Sequence, residues 1–152
     1  MKSVLFPGSF DPFTSGHANL VERALAIFDQ VVIGIGYNIA KPGWIPVAER
    51  VRALREFYMA EPRVKVISYD RLTVDAAREQ GTRFILRGVR SIQDYEYELR
   101  LADTNRQIEG IETVILFSDI RYGHLSSSMV RELHHFGRDI MQFLPHGLKY
   151  NI

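Results

Sequence analysis

The sequence contains no cysteine, which excludes disulfides, thiolate metal sites and cysteine nucleophiles and fits a reducing cytoplasm. It contains no apolar run near the roughly 20 residues that span a bilayer. Its opening Met1-Lys2-Ser3-Val4-Leu5-Phe6-Pro7 meets proline before a signal-peptide core can form. The expectation is a cytoplasmic chain that makes no use of a membrane. An excess of one charge is missing too, since 19 Lys and Arg face 18 Asp and Glu for a formal net charge of +1. So balanced a chain is no nucleic-acid-binding polycation, and affinity for anions has to come from local clusters. No repeat, low-complexity segment or long linker divides the 152 residues. A chain of that length can bury a core without staples, so one domain over 1–152 is expected.

What is present is alternation. Short apolar runs at 4–6, 31–37, 64–69, 84–86 and 113–117 read as strands. Helical spacing follows each run or its loop, at 16–28, 46–59, 72–80, 92–108 and 126–136, with a short terminal helix expected at 145–152. Gly34 and Gly36 inside the second run either weaken it as a strand or mark a place where something approaches the backbone closely. Five strand-and-helix alternations predict an α/β, doubly wound domain with a five-stranded parallel sheet, whose ligands sit beyond the carboxyl ends of the strands.

The corner between the first strand and first helix reads Pro7-Gly8-Ser9-Phe10-Asp11-Pro12-Phe13-Thr14-Ser15-Gly16-His17. Gly8 permits close backbone approach, Ser9 offers a hydroxyl past the strand end, and Thr14 or Ser15 can cap the helix. His17 then falls in the first turn, among unpaired N–H groups, where it can donate a hydrogen bond to a phosphoryl oxygen. No second histidine or carboxylate follows at metal-ligand spacing. Each of these residues alone suits an ordinary tight turn. Together they converge on the phosphate-binding corner of such a sheet.

Two further clusters fall at the same edge. Arg87 and Arg90, flanking Gly88 after the fourth strand, can both face an anion. Leu125-Ser126-Ser127-Ser128 opens the last long helix with hydroxyl and backbone donors.

The string Gly8-Ser9-Phe10-Asp11-Pro12 followed by Thr14-Ser15-Gly16-His17 resembles the G-[ST]-F-D-P-x-[TH]-x-G-H signature of bacterial phosphopantetheine adenylyltransferases, and the T/HxGH core is shared by the nucleotidyltransferase superfamily. Leu86-Arg87-Gly88-Val89-Arg90, Asp94-Tyr95-Glu96-Tyr97-Glu98, Leu101-Ala102 with Asn105-Arg106, the Ser126 cluster and Phe143-Leu144-Pro145 resemble that family's remaining motifs, almost collinearly from residue 4 to 145. Departures fall in loops. Ile39 stands for a proline before Lys41, Gly43-Trp44-Ile45-Pro46 replaces the usual stretch, and 119–124 carries an extra residue with Tyr122 in place of a tryptophan.

The resemblance implies adenylyl transfer from ATP to 4′-phosphopantetheine, giving dephospho-coenzyme A and pyrophosphate. It implies His17, Lys41 and Arg90 as the catalytic set, with His17 contacting the α-phosphate. Gly8, Ser9, Phe10, His17, Arg90, Glu98 (at the ribose), Tyr122, Ser126, Ser127 and Ser128 are implied for ATP. Ser9, Lys41, Leu72, Thr73, Arg87, Tyr97, Leu101 and Asn105 are implied for the acceptor. It further implies Mg²⁺ bound mainly through the ATP phosphates with no protein metal site, a homohexamer, and coenzyme A as a feedback ligand. An acceptor phosphomonoester, with a second pKa of about 6, is already largely ionised near neutrality, so no strong general base is expected. Adenylyl transfer to nicotinate mononucleotide, cytidylyl transfer to a sugar or glycerol phosphate, and a catalytically silent nucleotide-binding module are the alternatives.

Overall fold

Each apolar run becomes a strand, and all five strands join one sheet in a computed structural model that describes residues 1–152. The strands are β1 (Ser3–Gly8), β2 (Gln30–Gly36), β3 (Val64–Tyr69), β4 (Phe84–Val89) and β5 (Glu112–Phe117). The helices are α1 (Ser15–Ala24), α2 (Val47–Phe57), α3 (Thr73–Glu79), α4 (Ile92–Glu109) and α5 (Ser127–His135), with 3₁₀ turns at Ile120–Tyr122 and Met141–Phe143. The strand order is β3-β2-β1-β4-β5 and every pairing is parallel. The expected doubly wound α/β sheet of five parallel strands is thus the observed one.

Side chains alternate across the sheet, as strand geometry requires. Val4, Phe6, Val31, Ile33 and Ile35 face one side, packed on Leu20, Val21 and Ala24 of α1 and Ala53 and Leu54 of α2. Leu5, Val32 and Ile85 face the other, against Val74, Ala76 and Ala77 of α3. Gly34 and Gly36 make room for a side chain: Cβ atoms there would stand 3.0 and 3.2 Å from the Tyr69 ring and hydroxyl. Helix α4 differs from the rest. It buries only Glu98 and leaves Ile92, Tyr97 and Ile108 more than half exposed.

The chain winds from β1 outward to β3, then returns to the other edge of β1 with β4. That reversal is the topological switch point, which opens a crevice above the two central strands. β1 pairs with β2 along six residues but meets β4 at a single registered pair, Leu5 with Ile85. Pro7 has no N–H to extend that ladder, and its carbonyl accepts instead from Arg87 Nη1 at 3.0 Å. Both central strands run further than the sequence predicts: β1 continues through Pro7-Gly8 and β4 through Arg87-Gly88, so Arg87 is a strand residue.

One expected element is absent. Residues 145–152 form no helix. Gly147 takes a φ of +93° in a turn closed by the Leu148 N–H on Pro145 O at 3.1 Å, and the tail beyond it is held by side chains of α2, Arg52 Nη2 donating to the Lys149 carbonyl at 3.1 Å and Glu49 accepting from the Asn151 N–H at 2.5 Å. The Asn151 N–H, which a terminal helix would pair with Gly147 O, is thereby taken by a side chain.

Candidate active site

The crevice is built first by the β1–α1 corner. Thr14 is the N-cap of α1, and His17 is its third helical residue. The two form a reciprocal capping box: the Thr14 N–H donates to His17 Nδ1 at 3.0 Å, and Thr14 Oγ1 accepts from the His17 N–H at 3.4 Å. Because Nδ1 is an acceptor, the ring proton of the neutral imidazole resides on Nε2. Phe6, Phe10 and Phe13 wall the ring, with centroids 6.1, 5.0 and 5.4 Å away. Burial lowers the His17 pKa to about 3, and the charges of Arg90 and then Arg87 push it the same way. His17 is therefore a neutral Nε2–H donor at physiological pH, unsuited to the part of a protonated acid.

The β4–α4 corner supplies the cations. The Arg87 guanidinium forks onto Glu98, its Nε 2.9 Å from both carboxylate oxygens and its Nη2 2.8 Å from Oε1. With Nη1 on Pro7 O, the group is fixed across the β1–β4 opening. Arg90 donates from Nε to Asp94 at 3.2 Å and from Nη1 to the Leu125 carbonyl at 3.0 Å, tying this corner to the start of α5. There Ser126 caps the helix by accepting from the Met129 N–H at 3.1 Å. The N–H groups of Ser127 and Ser128 belong to the first turn and have no intrahelical acceptor. The Ser127 hydroxyl is committed to the Pro12 carbonyl at 2.7 Å, whereas Ser128 Oγ accepts from Arg131 at 3.2 Å and keeps its proton to donate.

Every residue predicted for the site lines one of three adjoining cavities that share the Ser9 wall. A cavity of about 480 Å³ gathers Gly8, Ser9, Phe10, His17, Arg87, Arg90, Tyr97, Glu98, Tyr122 and Ser126, Ser127 and Ser128. A second, also about 480 Å³, runs past Leu72, Thr73, Arg87, Tyr97, Glu98, Leu101 and Asn105. The third, about 690 Å³, holds Lys41 with Ser9, Thr73 and Arg71. Lys41 and His17 thus line different cavities. Glu98, expected at a ribose, is 4% exposed and engaged by Arg87. Trp44 stacks on His134 of α5 at 4.4 Å. The loop 119–124 folds into the 3₁₀ turn Ile120–Tyr122, where the Tyr122 ring lies under Arg121.

Sequence reasoning passed over the residues that hold the corner from outside. Arg50 Nη1 donates to Ser9 O at 2.6 Å, Arg131 Nη1 to Asp11 O at 2.7 Å, and the Phe13 N–H to the Tyr150 hydroxyl at 3.1 Å. These partners lie 41, 120 and 137 residues away along the chain, and no local pattern signals them. No group of three or more His, Asp or Glu side chains is placed to hold a metal ion. The two carboxylates of the first cavity, Asp94 and Glu98, are both committed to arginines.

A switch-point crevice with a neutral histidine donor, two arginines and an open helix start defines an α/β nucleotidyltransferase. Residues 5–133 match the Cytidylyltransferase-like family. The chain is 49% identical over 98% of its length to a phosphopantetheine adenylyltransferase of Phocaeicola vulgatus, covering 99% of that protein. It is 48% identical over 98% of its length to that of Bacteroides fragilis, again covering 99%, and 50% identical over 94% of both chains to that of Porphyromonas gingivalis. The chain belongs to the phosphopantetheine adenylyltransferase family. A bifunctional NMN adenylyltransferase/ADP ribose pyrophosphatase from Francisella tularensis superposes with a TM-score of 0.71 over 94% of this chain and 44% of its own, sharing the fold at 15% identity.

Proposed function

We propose that the chain transfers the adenylyl group of ATP to 4′-phosphopantetheine, forming dephospho-coenzyme A and releasing pyrophosphate. Membership of the family supports the reaction, and the observation that carries the mechanism is the His17 Nε2–H donor held neutral at the wall of the first cavity. A phosphate oxygen of the acceptor attacks the α-phosphorus, a P–O bond forms, and the α–β bridging bond breaks with its electrons leaving on pyrophosphate. The nucleophile is already an anion, so no proton need be removed. His17 donates to a non-bridging α-oxygen as charge grows there. Arg90, with Ser126, Ser127 and Ser128 at the start of α5, takes the β- and γ-phosphates. Tyr122 and Phe10 border the same cavity, which we assign to ATP.

We assign the second cavity to the pantetheine arm, with Arg87 and Ser9 at its phosphate end and Leu72, Thr73, Tyr97, Leu101 and Asn105 along it. Lys41 reaches the acceptor phosphate from the third cavity, past Ser9. Mg²⁺ held through the ATP phosphates would screen the triphosphate charge. The apolar side chains on α4 support burial against further copies, and a homohexamer is the assembly we propose. Coenzyme A, which joins the adenylyl and phosphopantetheine moieties, is the feedback ligand we propose for the same cavities. No helix is long and apolar enough to cross a membrane, and we place this ATP-consuming step in the cytoplasm. Pyrophosphate release with ATP and 4′-phosphopantetheine tests the proposal. Folded, ATP-binding protein that releases none is a silent nucleotide-binding module.

A further inference from the structure

The Asp11 carboxylate is 5% exposed and makes no ion pair. Both of its oxygens point at one short stretch of another loop: Oδ2 accepts from the Trp44 N–H at 2.7 Å and Oδ1 from the Ile45 N–H at 2.8 Å. Such charge-assisted bonds to backbone donors are among the stronger ones a protein makes. Gly43 is required for the approach, because a Cβ there would stand 2.3 Å from Oδ2. Arg50 braces the same junction from below, donating to the Ile45 carbonyl at 2.8 Å and to Ser9 O at 2.6 Å. Asp11 itself is anchored through its carbonyl to Arg131.

The stretch so held is the downstream end of the loop that carries Lys41. Upstream, residues 38–41 are tied only to one another, the Ala40 N–H donating to Asn38 Oδ1 at 2.9 Å and the Lys41 N–H to Asn38 O at 3.0 Å. Between Lys41 and the clamped Trp44 stand only Pro42 and Gly43, and proline fixes one of the intervening backbone angles. A tether this short carries the position of Trp44 to Lys41. Asp11 also stands six residues before His17, in the same corner.

We propose that Asp11 is a positioning residue for the adenylyl transfer: its carboxylate sets the place of the Lys41 loop against the His17 corner, so that the acceptor phosphate meets the α-phosphorus in register. The proposal rests on the reading that Lys41 holds the acceptor phosphate. A simple fold staple would affect the enzyme equally whether or not Lys41 is present, and that difference decides the matter.

The experiment is a double-mutant cycle of Asp11→Asn with Lys41→Ala, with kcat and both KM values measured for ATP and 4′-phosphopantetheine. In Asp11→Asn an amide NH₂ replaces one acceptor and confronts a backbone N–H. The expected result is a loss of about tenfold or more in kcat/KM for the acceptor, about 1.4 kcal/mol, with KM for ATP changed by less than about twofold. In the Lys41→Ala background the same substitution should cost less than about twofold. Trp44, the sole tryptophan, supplies a readout independent of activity: its quenching by acrylamide should rise in Asp11→Asn while thermal unfolding stays cooperative. Gly43→Ala presses on the same carboxylate and should repeat the pattern, and it carries the cycle if Asp11→Asn does not fold. An equal loss with and without Lys41, or unchanged Trp44 quenching, overturns the proposal and leaves the role of Lys41 intact. A Lys41→Ala enzyme with the wild-type kcat/KM for the acceptor overturns both.

Discussion

The two sides of the crevice are built to different standards of rigidity. On the side assigned to the nucleotide, the β1–α1 corner is gripped by side chains from α2, α5 and the C-terminal tail. Its Phe10 sits at a φ of +48°, a conformation that non-glycine residues seldom adopt. It is held there by ring contacts to Phe6, Phe13 and His17 at centroid distances of 5.0 to 5.3 Å. On the side assigned to the acceptor, residues 38–42 are exposed and bonded only to themselves, between Tyr37, whose N–H donates to Tyr69 O at 3.0 Å, and the Asp11 clamp on Trp44. The contrast follows from the chemistry. Charge changes at the α-phosphorus, and donors there stabilise the transition state best when they need not reorganise. The acceptor is long and flexible, and the loop beside it carries no donor aimed at the α-phosphorus.

The contrast fails most plainly if His17 can be removed without harm. His17→Ala should lower kcat by about 10²- to 10³-fold, the usual loss for a preorganised donor to a developing oxyanion. KM for ATP should change little, as for a contact made in the transition state. Steady-state kinetics check both. A mutant that loses ATP affinity and keeps kcat would make His17 a ground-state binding residue. Lys41→Ala should cost less, about 1.5–3 kcal/mol in kcat/KM for the acceptor, the range of one charged hydrogen bond. Its effect should weaken at high salt, because the ammonium is exposed.

This division explains what could be read from the sequence and what could not. The corner was legible because its parts are neighbours: Gly8, Ser9, Thr14 and His17 fall within ten residues, and their types match the demands of a helix start receiving phosphate. The alternation of apolar runs likewise revealed all five strands. The braces were not legible, because each joins residues brought together only by the completed fold. Arg87 and Glu98 could each be suspected of touching a ligand, yet the pairing between them, across the β4–α4 corner, is a product of packing. The terminal helix at 145–152 was a local inference that tertiary contacts overrode: Glu49 and Arg52 take the tail's backbone groups, and Leu148 is buried in the core, 1% exposed.

That tail provides a test confined to rigidity. Tyr150→Phe removes the acceptor of the Phe13 N–H and leaves a poorly solvated donor unpaired, at a cost of about 1–3 kcal/mol. Urea unfolding should detect it, and kcat should fall by less than in Lys41→Ala. A loss of activity comparable to that of His17→Ala would show that the corner depends on the tail for catalysis as well as for stability.

Another effect concerns pH. His17 has its folded pKa lowered from 6.5 to about 3, chiefly by burial. Between those values the unfolded chain binds the extra proton, so stability rises with pH through this window. The contribution is complete above about 6.5 and is lost progressively as the pH falls below it. The slope for one such group is at most about 1.4 kcal/mol per pH unit. Urea midpoints of the wild type and His17→Asn, compared from pH 7 to pH 5, should converge, because only the wild type carries this term. Over the same interval kcat should show no inflection from His17, which remains neutral throughout; an acid limb near pH 6 would belong to the acceptor phosphate. That assignment can be tested directly, since a limb owned by the substrate moves when an acceptor of different phosphate pKa is used, whereas a limb owned by His17 stays in place.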